Sequence, residues 1–304
     1  MANLIQNAID AVALGSLFAL TALGIGLIFG VMRLINFAHG DFIMIGGYAL
    51  IVPSSAVTAT LFIGAWPAPL LVGAICLLII LLAVASERLA FRPLRRAEPS
   101  VLLITSFALS FFFQHAVIMI YGGRPKAVNI WAGLVEPVVI SGFRIPKLQI
   151  ITIAVTITLL MLLVLFLRRT SLGVAMRAAS EDFLMARLLG VRANLVIAAA
   201  FAISGFLAAV VSLLYVTQTG VLSFHMGIPL VLFAFVATVV GGMGSLSGAV
   251  LGGFVVGVAS VVFQVVLPID MRPNRDTWVY AMILVILLLR PSGLVKVKSI
   301  EEKV

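Results

Sequence analysis

Three polar stretches interrupt an otherwise apolar chain, and each suggests a different chemistry. The first, INFAHGD at 35–41, sets Asn36, His39 and Asp41 beside Phe37 and Gly40, with long apolar runs on either side. Polar groups at membrane depth are expensive and commonly line a cavity or a pathway. A helix broken at this point would offer its backbone to a passing solute. The same residues fit a plain turn at a membrane surface, and the spacing leaves both readings open. His39 and Asp41 could also relay a proton. No other His or acid stands at ligand spacing from them, so no metal site is expected.

The second stretch, GGMGSLSGAVLGGFVVG at 241–257, looks only superficially like a phosphate-cradling loop. A phosphate loop needs a Gly-Lys pair, and the chain has none. Gly248/Gly252 and Gly253/Gly257 are small-xxx-small pairs that let another helix approach closely. The alternative is a re-entrant or broken segment in which Gly241, Gly242, Gly244 and Ser245 line a path.

The third stretch, RRTSLGVAMRAASEDFLMARLLGVR at 168–192, is the longest interior segment that reads as solvated. Ser180 is a good N-cap, Glu181 and Asp182 fill a first turn, Phe183 follows, Arg187 sits in the last turn and Gly190 is a stop. These signals predict a helix over 181–189, far short of the roughly 20 apolar residues that cross a bilayer. A short capped helix between two spans is a docking surface. No Ser-His-Asp, paired-carboxylate or metal-ligand arrangement appears, so an intramembrane enzyme has no support.

The elements that must position these stretches follow from composition. Of 304 residues 63% are hydrophobic and only 10% charged, with a mean hydropathy of +1.26; a soluble domain carries about a quarter charged residues. Long continuous apolar runs, rather than short alternating ones, predict an all-α integral membrane protein and exclude a barrel. The runs fall at about 4–32, a second ending near 54, then 70–85, 101–121, 150–167, 194–216, 228–240, 249–267 and 277–289. They predict a polytopic helical bundle of about 8–9 transmembrane helices, with broken or re-entrant segments at the polar and glycine-rich stretches. Gly26 and Gly30 in the first run should admit a close neighbour.

The net charge of +9 reads as topology and not as nucleic-acid binding. The loop 86–100, the segment 168–192 and the tail hold 13 of the 20 Lys and Arg, which predicts a cytoplasmic C-terminus. Cys76, the single cysteine, lies within an apolar run and is expected to be buried and inert. His115 and His225 are isolated, and Trp278 and Tyr280 read as interface anchors. The N-terminus lacks a basic leader segment, and no cleavable signal is expected.

In order along the chain stand INFAHGDFIMIGGY, SERLAFRPLR, TSLGVAMRAASEDFLMARLLGV, GGMGSLSGAVLGG and LLLRPSGL. This set resembles the LivH-type permeases of branched-chain amino acid ABC importers over nearly the whole length. The resemblance implies a single permease domain over 1–304, with a coupling loop at 168–193, in the bacterial inner membrane. Arg177, Ser180, Glu181, Asp182, Phe183, Arg187 and Gly190 would lie in the segment that docks on the ATPase, although its spacing differs from the EAA loop of other ABC importers. The implied partners are a second, LivM-like permease, two ATP-binding subunits, an extracytoplasmic solute-binding protein and membrane lipid. ATP and magnesium would be held by those partner subunits, and no cofactor by this chain. The rival reading is a proton-coupled secondary transporter using His39 and Asp41.

Overall fold

The computed structural model describes residues 2–56, 58–95, 97–140, 143–290 and 293–295. Arg96 and most of the basic tail lie outside them. The helices are α1 (Ala2–Met32), α2 (His39–Tyr48), α3 (Ala68–Ser86), α4 (Pro99–Tyr121), α5 (Ala132–Val135), α6 (Lys147–Arg169), α7 (Ser171–Glu181), α8 (Phe183–Leu188), α9 (Ala193–Thr219), α10 (Gly227–Gly241), α11 (Leu246–Val266) and α12 (Arg275–Leu289). Four short strands, β1 (Lys126–Ala127), β2 (Pro137–Ile140), β3 (Phe143–Pro146) and β4 (Val221–Leu222), form two antiparallel pairs, β1 with β4 and β2 with β3.

All nine apolar runs become helices, but only six are long and apolar enough to cross a bilayer: those containing 5–32, 68–91, 99–121, 147–169, 193–219 and 246–266. The chain is therefore a multi-pass membrane protein with six such spans among the described residues. The remaining runs give the shorter helices α2, α10 and α12. The second run falls furthest from expectation. Its helix ends at Tyr48, not near 54, and the following residues form an irregular strap closed by an Ile51–Leu61 bridge. Lys126, itself buried, holds that strap by donating to the carbonyls of Ser54 and Ala56.

The bundle is built around α1. In its span 83% of residues are buried, against 28% for α3 and α4 and 22% for α6. α11 packs along it backbone to backbone. A Cβ at Gly257 would sit 2.2 Å from Gly15 Cα, and one at Gly253 would sit 2.5 Å from Ala19 Cα. The other glycine pair of α11 faces α10, where a Cβ at Gly252 would fall 1.9 Å from the Ala237 carbonyl. The two small-xxx-small pairs thus serve two different neighbours. α11 itself is continuous, so the re-entrant reading of 241–257 does not hold; only 242–245 is a turn. Gly26 meets Thr238 and Ala249, as its spacing suggested, while a Cβ on Gly30 would stand 4.0 Å from Ser180 Cβ.

One end of the bundle gathers Arg33, the π-helical turn Glu87–Phe91 with the residues after it to 95, the end of α6, α7, α8 and the start of α9. The opposite end holds Asp10, which accepts from Gln149 at 2.7 Å, and the two small sheets. Cys76 is buried as expected. Tyr280 is half-buried and stacks on Phe233 at 5.1 Å and 10°.

Candidate functional site

The INFAHGD stretch is not a surface turn. After α1 ends at Met32 the chain re-enters the bundle without regular structure, and Leu34, Asn36 and Ala38 are buried. Irregular backbone at such depth is tolerated only where protein covers it. The turn satisfies part of its own backbone: the N–H groups of His39, Gly40 and Asp41 donate to the carbonyls of Asn36, Phe37 and Ala38, and Asn36 Oδ1 accepts from Ala38 N. His39 is fully buried, with Nδ1 3.0 Å from Ser204 Oγ and its ring packed where a Cβ on Gly24 would stand. Ser204 lies eleven residues beyond Ala193 at the start of α9, about 16 Å along the helix at 1.5 Å per residue. The mouth of α2 is therefore near the middle of the bundle. Gly40 touches Gly227, so α2 and α10 both begin at this depth. Asp41 is buried and accepts from Gln114 Nε2 at 3.0 Å.

Gly241, Gly242, Gly244 and Ser245 are not brought to that mouth. They form the α10–α11 turn at the basic end. Gly242 has φ +110, where L side chains are strained. Ser245 caps α11 by accepting from Gly248 N at 3.0 Å. The turn is pinned by Leu294 and Val295, whose N–H groups donate to the Val240 and Gly241 carbonyls. It also approaches Arg33, a residue that nothing in the sequence singles out. A Cβ on Gly244 would stand 3.4 Å from Arg33 Nη1, and Arg33 Nη2 donates to the Ser180 carbonyl at 3.2 Å. The glycine turn thus joins α7, through Arg33, and not the buried polar stretch.

The segment 168–192 is two helices where one was expected. Thr170, not Ser180, opens it, its hydroxyl accepting from Gly173 N at 3.0 Å. Ser180 turns back to donate to the Arg177 carbonyl, Glu181 ends α7, and Asp182 is the N-cap of α8, accepting from Met185 N at 2.9 Å. Phe183 begins α8, Arg187 is in its last turn, and Gly190 follows with φ +89. Arg177 reaches back to the Leu167 carbonyl and ties α7 to α6. α8 leaves Leu184, Met185, Leu188 and Leu189 exposed. Removing its cap by Asp182→Ala is expected to destabilise α8 locally by about 1 kcal/mol; faster amide hydrogen exchange at 183–188, with 171–181 unchanged, would show it.

Beside α8 runs a groove of about 1070 Å³, lined by Arg88, Arg92, Arg95, Arg187 and Arg192. Glu87 is its one acid and is paired with Arg95, which also donates to Asn194 Oδ1 at 2.5 Å. The other four arginines make no salt bridge among the described residues. Among the same residues no three His, Cys, Asp or Glu come together in a way that could hold a metal.

Residues 7–290 match the family model described as the branched-chain amino acid transport system / permease component. The chain belongs to that permease family. It is 33% identical to the high-affinity branched-chain amino acid transport system permease protein BraD of Pseudomonas aeruginosa, over 98% of this chain and 97% of that one. Identity to the permease protein LivH of Salmonella typhimurium is also 33%, with the same coverage. A probable LivH of Methanocaldococcus jannaschii is 29% identical over 82% of this permease and 78% of the relative. In fold the permease is similar to a chain of the solved structure of PsaBC from Streptococcus pneumoniae in complex with Fab, with a TM-score of 0.51, 12% identity and coverage of 93% and 91%.

Ser110, Gln114 and Ser204 join the site only in the folded chain. Gln114 carries a usable sequence signal, as a lone amide inside an apolar span. Its partner Asp41 lies 73 positions away and could not be named from one sequence.

Proposed function

We infer that this permease is one of two related membrane subunits of an ATP-driven importer for branched-chain amino acids in a bacterial inner membrane. Two ATP-binding subunits supply the energy, and an extracytoplasmic binding protein delivers the solute. Full-length similarity to proteins named as branched-chain amino acid permeases supports the substrate class. The observation that carries the coupling role is α8, whose four apolar side chains stand exposed at the basic end, beside an arginine-lined groove. Contiguous exposed apolar surface outside the bilayer marks a protein interface. The bias of Lys and Arg makes that end cytoplasmic, so α1 runs inward from the outside and the tail lies in the cytoplasm. ATP and magnesium sit in the partner subunits; the permease itself relays motion through α7 and α8 into α6 and α9. Nothing in the comparisons favours the proton-coupled alternative.

The test is reconstitution of the complete complex in vesicles. Leucine uptake should require ATP and both ATP-binding subunits, and should survive collapse of the proton gradient. Uptake by this chain alone that a protonophore abolishes would reverse the conclusion.

A further inference from the structure

Two rungs of side chains connect the start of α2 to α4 and α10. The first is polar: Gln114 Nε2 donates to Asp41 Oδ1 and to Ser110 Oγ, both at 3.0 Å. The second is aromatic: Phe37 stacks on Phe107 at 4.3 Å and 16°, and meets Phe235 of α10 at 5.8 Å. Phe107, Ser110 and Gln114 recur at three and four residues, so they share one face of α4; Phe37 and Asp41 are likewise four apart. Asp41 and Phe37 are thus four residues apart across the start of α2, while Gln114 and Phe107 are two turns apart on α4, about 10.5 Å.

Asp41 is 3% exposed, yet it has no cationic partner among the described residues. The salt bridges among the described residues join Glu87, Glu136 and Asp276 to Arg95, Lys147 and Arg275. Its donors are neutral, and the nearby His39 ring is turned to Ser204 on α9. A buried carboxylate without a cation costs several kcal/mol, a penalty that a pathway residue recovers when a cation arrives. The aromatic rung is not sealed, for Phe107 is 52% exposed on the lateral face of α4.

We propose that the two rungs are a transit site for a zwitterionic amino acid with an apolar side chain, its ammonium received by Asp41 and its side chain by Phe37, Phe107 and Phe235. Gln114 holds the carboxylate until the ammonium displaces it. This assignment rests on the importer reading given above.

The experiment uses the complete importer in vesicles, with ATP hydrolysis and uptake measured separately. Asp41→Asn should lower leucine uptake about tenfold or more while the complex still hydrolyses ATP, and Asp41→Glu should restore it to within about threefold. Gln114→Leu takes the neutral donor from Asp41 but keeps the acid, and should lower uptake by less than Asp41→Asn does. Phe107→Ala should reduce leucine uptake relative to valine by about tenfold, since these solutes differ by one methylene. Two results overturn the proposal: wild-type leucine uptake in Asp41→Asn, or a Gln114→Leu loss equal to that of Asp41→Asn, which would make Asp41 an anchor for α4. If Asp41→Asn does not assemble, the leucine-to-valine ratio of Phe107→Ala decides, and an unchanged ratio refutes the site. Wild-type uptake that depends on ATP in the same vesicles keeps the importer reading intact whichever way the variants fall.

Discussion

Gly257→Val is expected to abolish most of the folded permease recovered from the membrane, while Gly73→Ala leaves yield and melting temperature unchanged. Both glycines sit in long helices, α11 and α3, so helix propensity alone would favour either substitution. Their surroundings differ. A Cβ at Gly73 meets nothing within 4 Å. A Cβ at Gly257 would lie 2.2 Å from Gly15 Cα and 2.4 Å from Gly15 N, both backbone atoms of the central helix. No rotamer relieves a clash with backbone, so α1 and α11 must move apart along their length. Ordinary core overpacking costs about 1–3 kcal/mol, and parting two helices that pack through backbone costs more. Fluorescence-detected size exclusion of detergent extracts, followed by a thermal melt, measures both variants. A normal monodisperse peak and melting temperature for Gly257→Val would show that the α1–α11 contact is not structurally required.

The second large effect is expected in function. Gly190→Val should leave the complex assembled and hydrolysing ATP but lower leucine uptake sharply. Gly190 has φ +89, and a Cβ there would meet nothing within 4 Å, so the substitution acts through the backbone alone. A β-branched residue held in that region costs about 1–3 kcal/mol, enough to reduce the population of the native α8–α9 connection by about fivefold to a hundredfold. Uptake per ATP hydrolysed should fall in the same range, because α8 would meet the ATP-binding subunit at the wrong angle. Gly190→Ala, with a smaller side chain, should fall in between. Unchanged uptake per ATP in a stably assembled Gly190→Val complex would separate α8 from coupling.

Much of this architecture is legible in the residues. Nine apolar runs give nine helices, because length and hydropathy report burial directly. What the runs do not reveal is where a helix stops within an apolar stretch. Ile51 and Val52 are as hydrophobic as the residues of α2, yet the backbone leaves the helix at Tyr48 for a strap held by Lys126, some 70 positions later. The coupling segment shows a second limit. Ser180 and Asp182 are two cap-forming residues two positions apart. Ser180 spends its hydroxyl on the carbonyl three residues back, as serine often does inside helices, which leaves the cap to Asp182. The polar stretch 35–41 is recognisable as unusual, but its meaning depends on Ser204 and Gln114, at separations of 165 and 73 residues.

The glycine-lined seams around α1 bear on how the permease can move. Thirty-one residues make a rod of about 46 Å, met by the backbone of α11 at Gly15 and Ala19 and by side chains such as His39 and Thr238 further along. Where backbone meets backbone, the rod has little room to take up a push by local rearrangement. A tilt of about 5° imposed at the Arg33 end would swing the Asp10 end by about 3 Å. A small displacement at one end of the rod would thereby reach the other as leverage, with no need for any helix to bend.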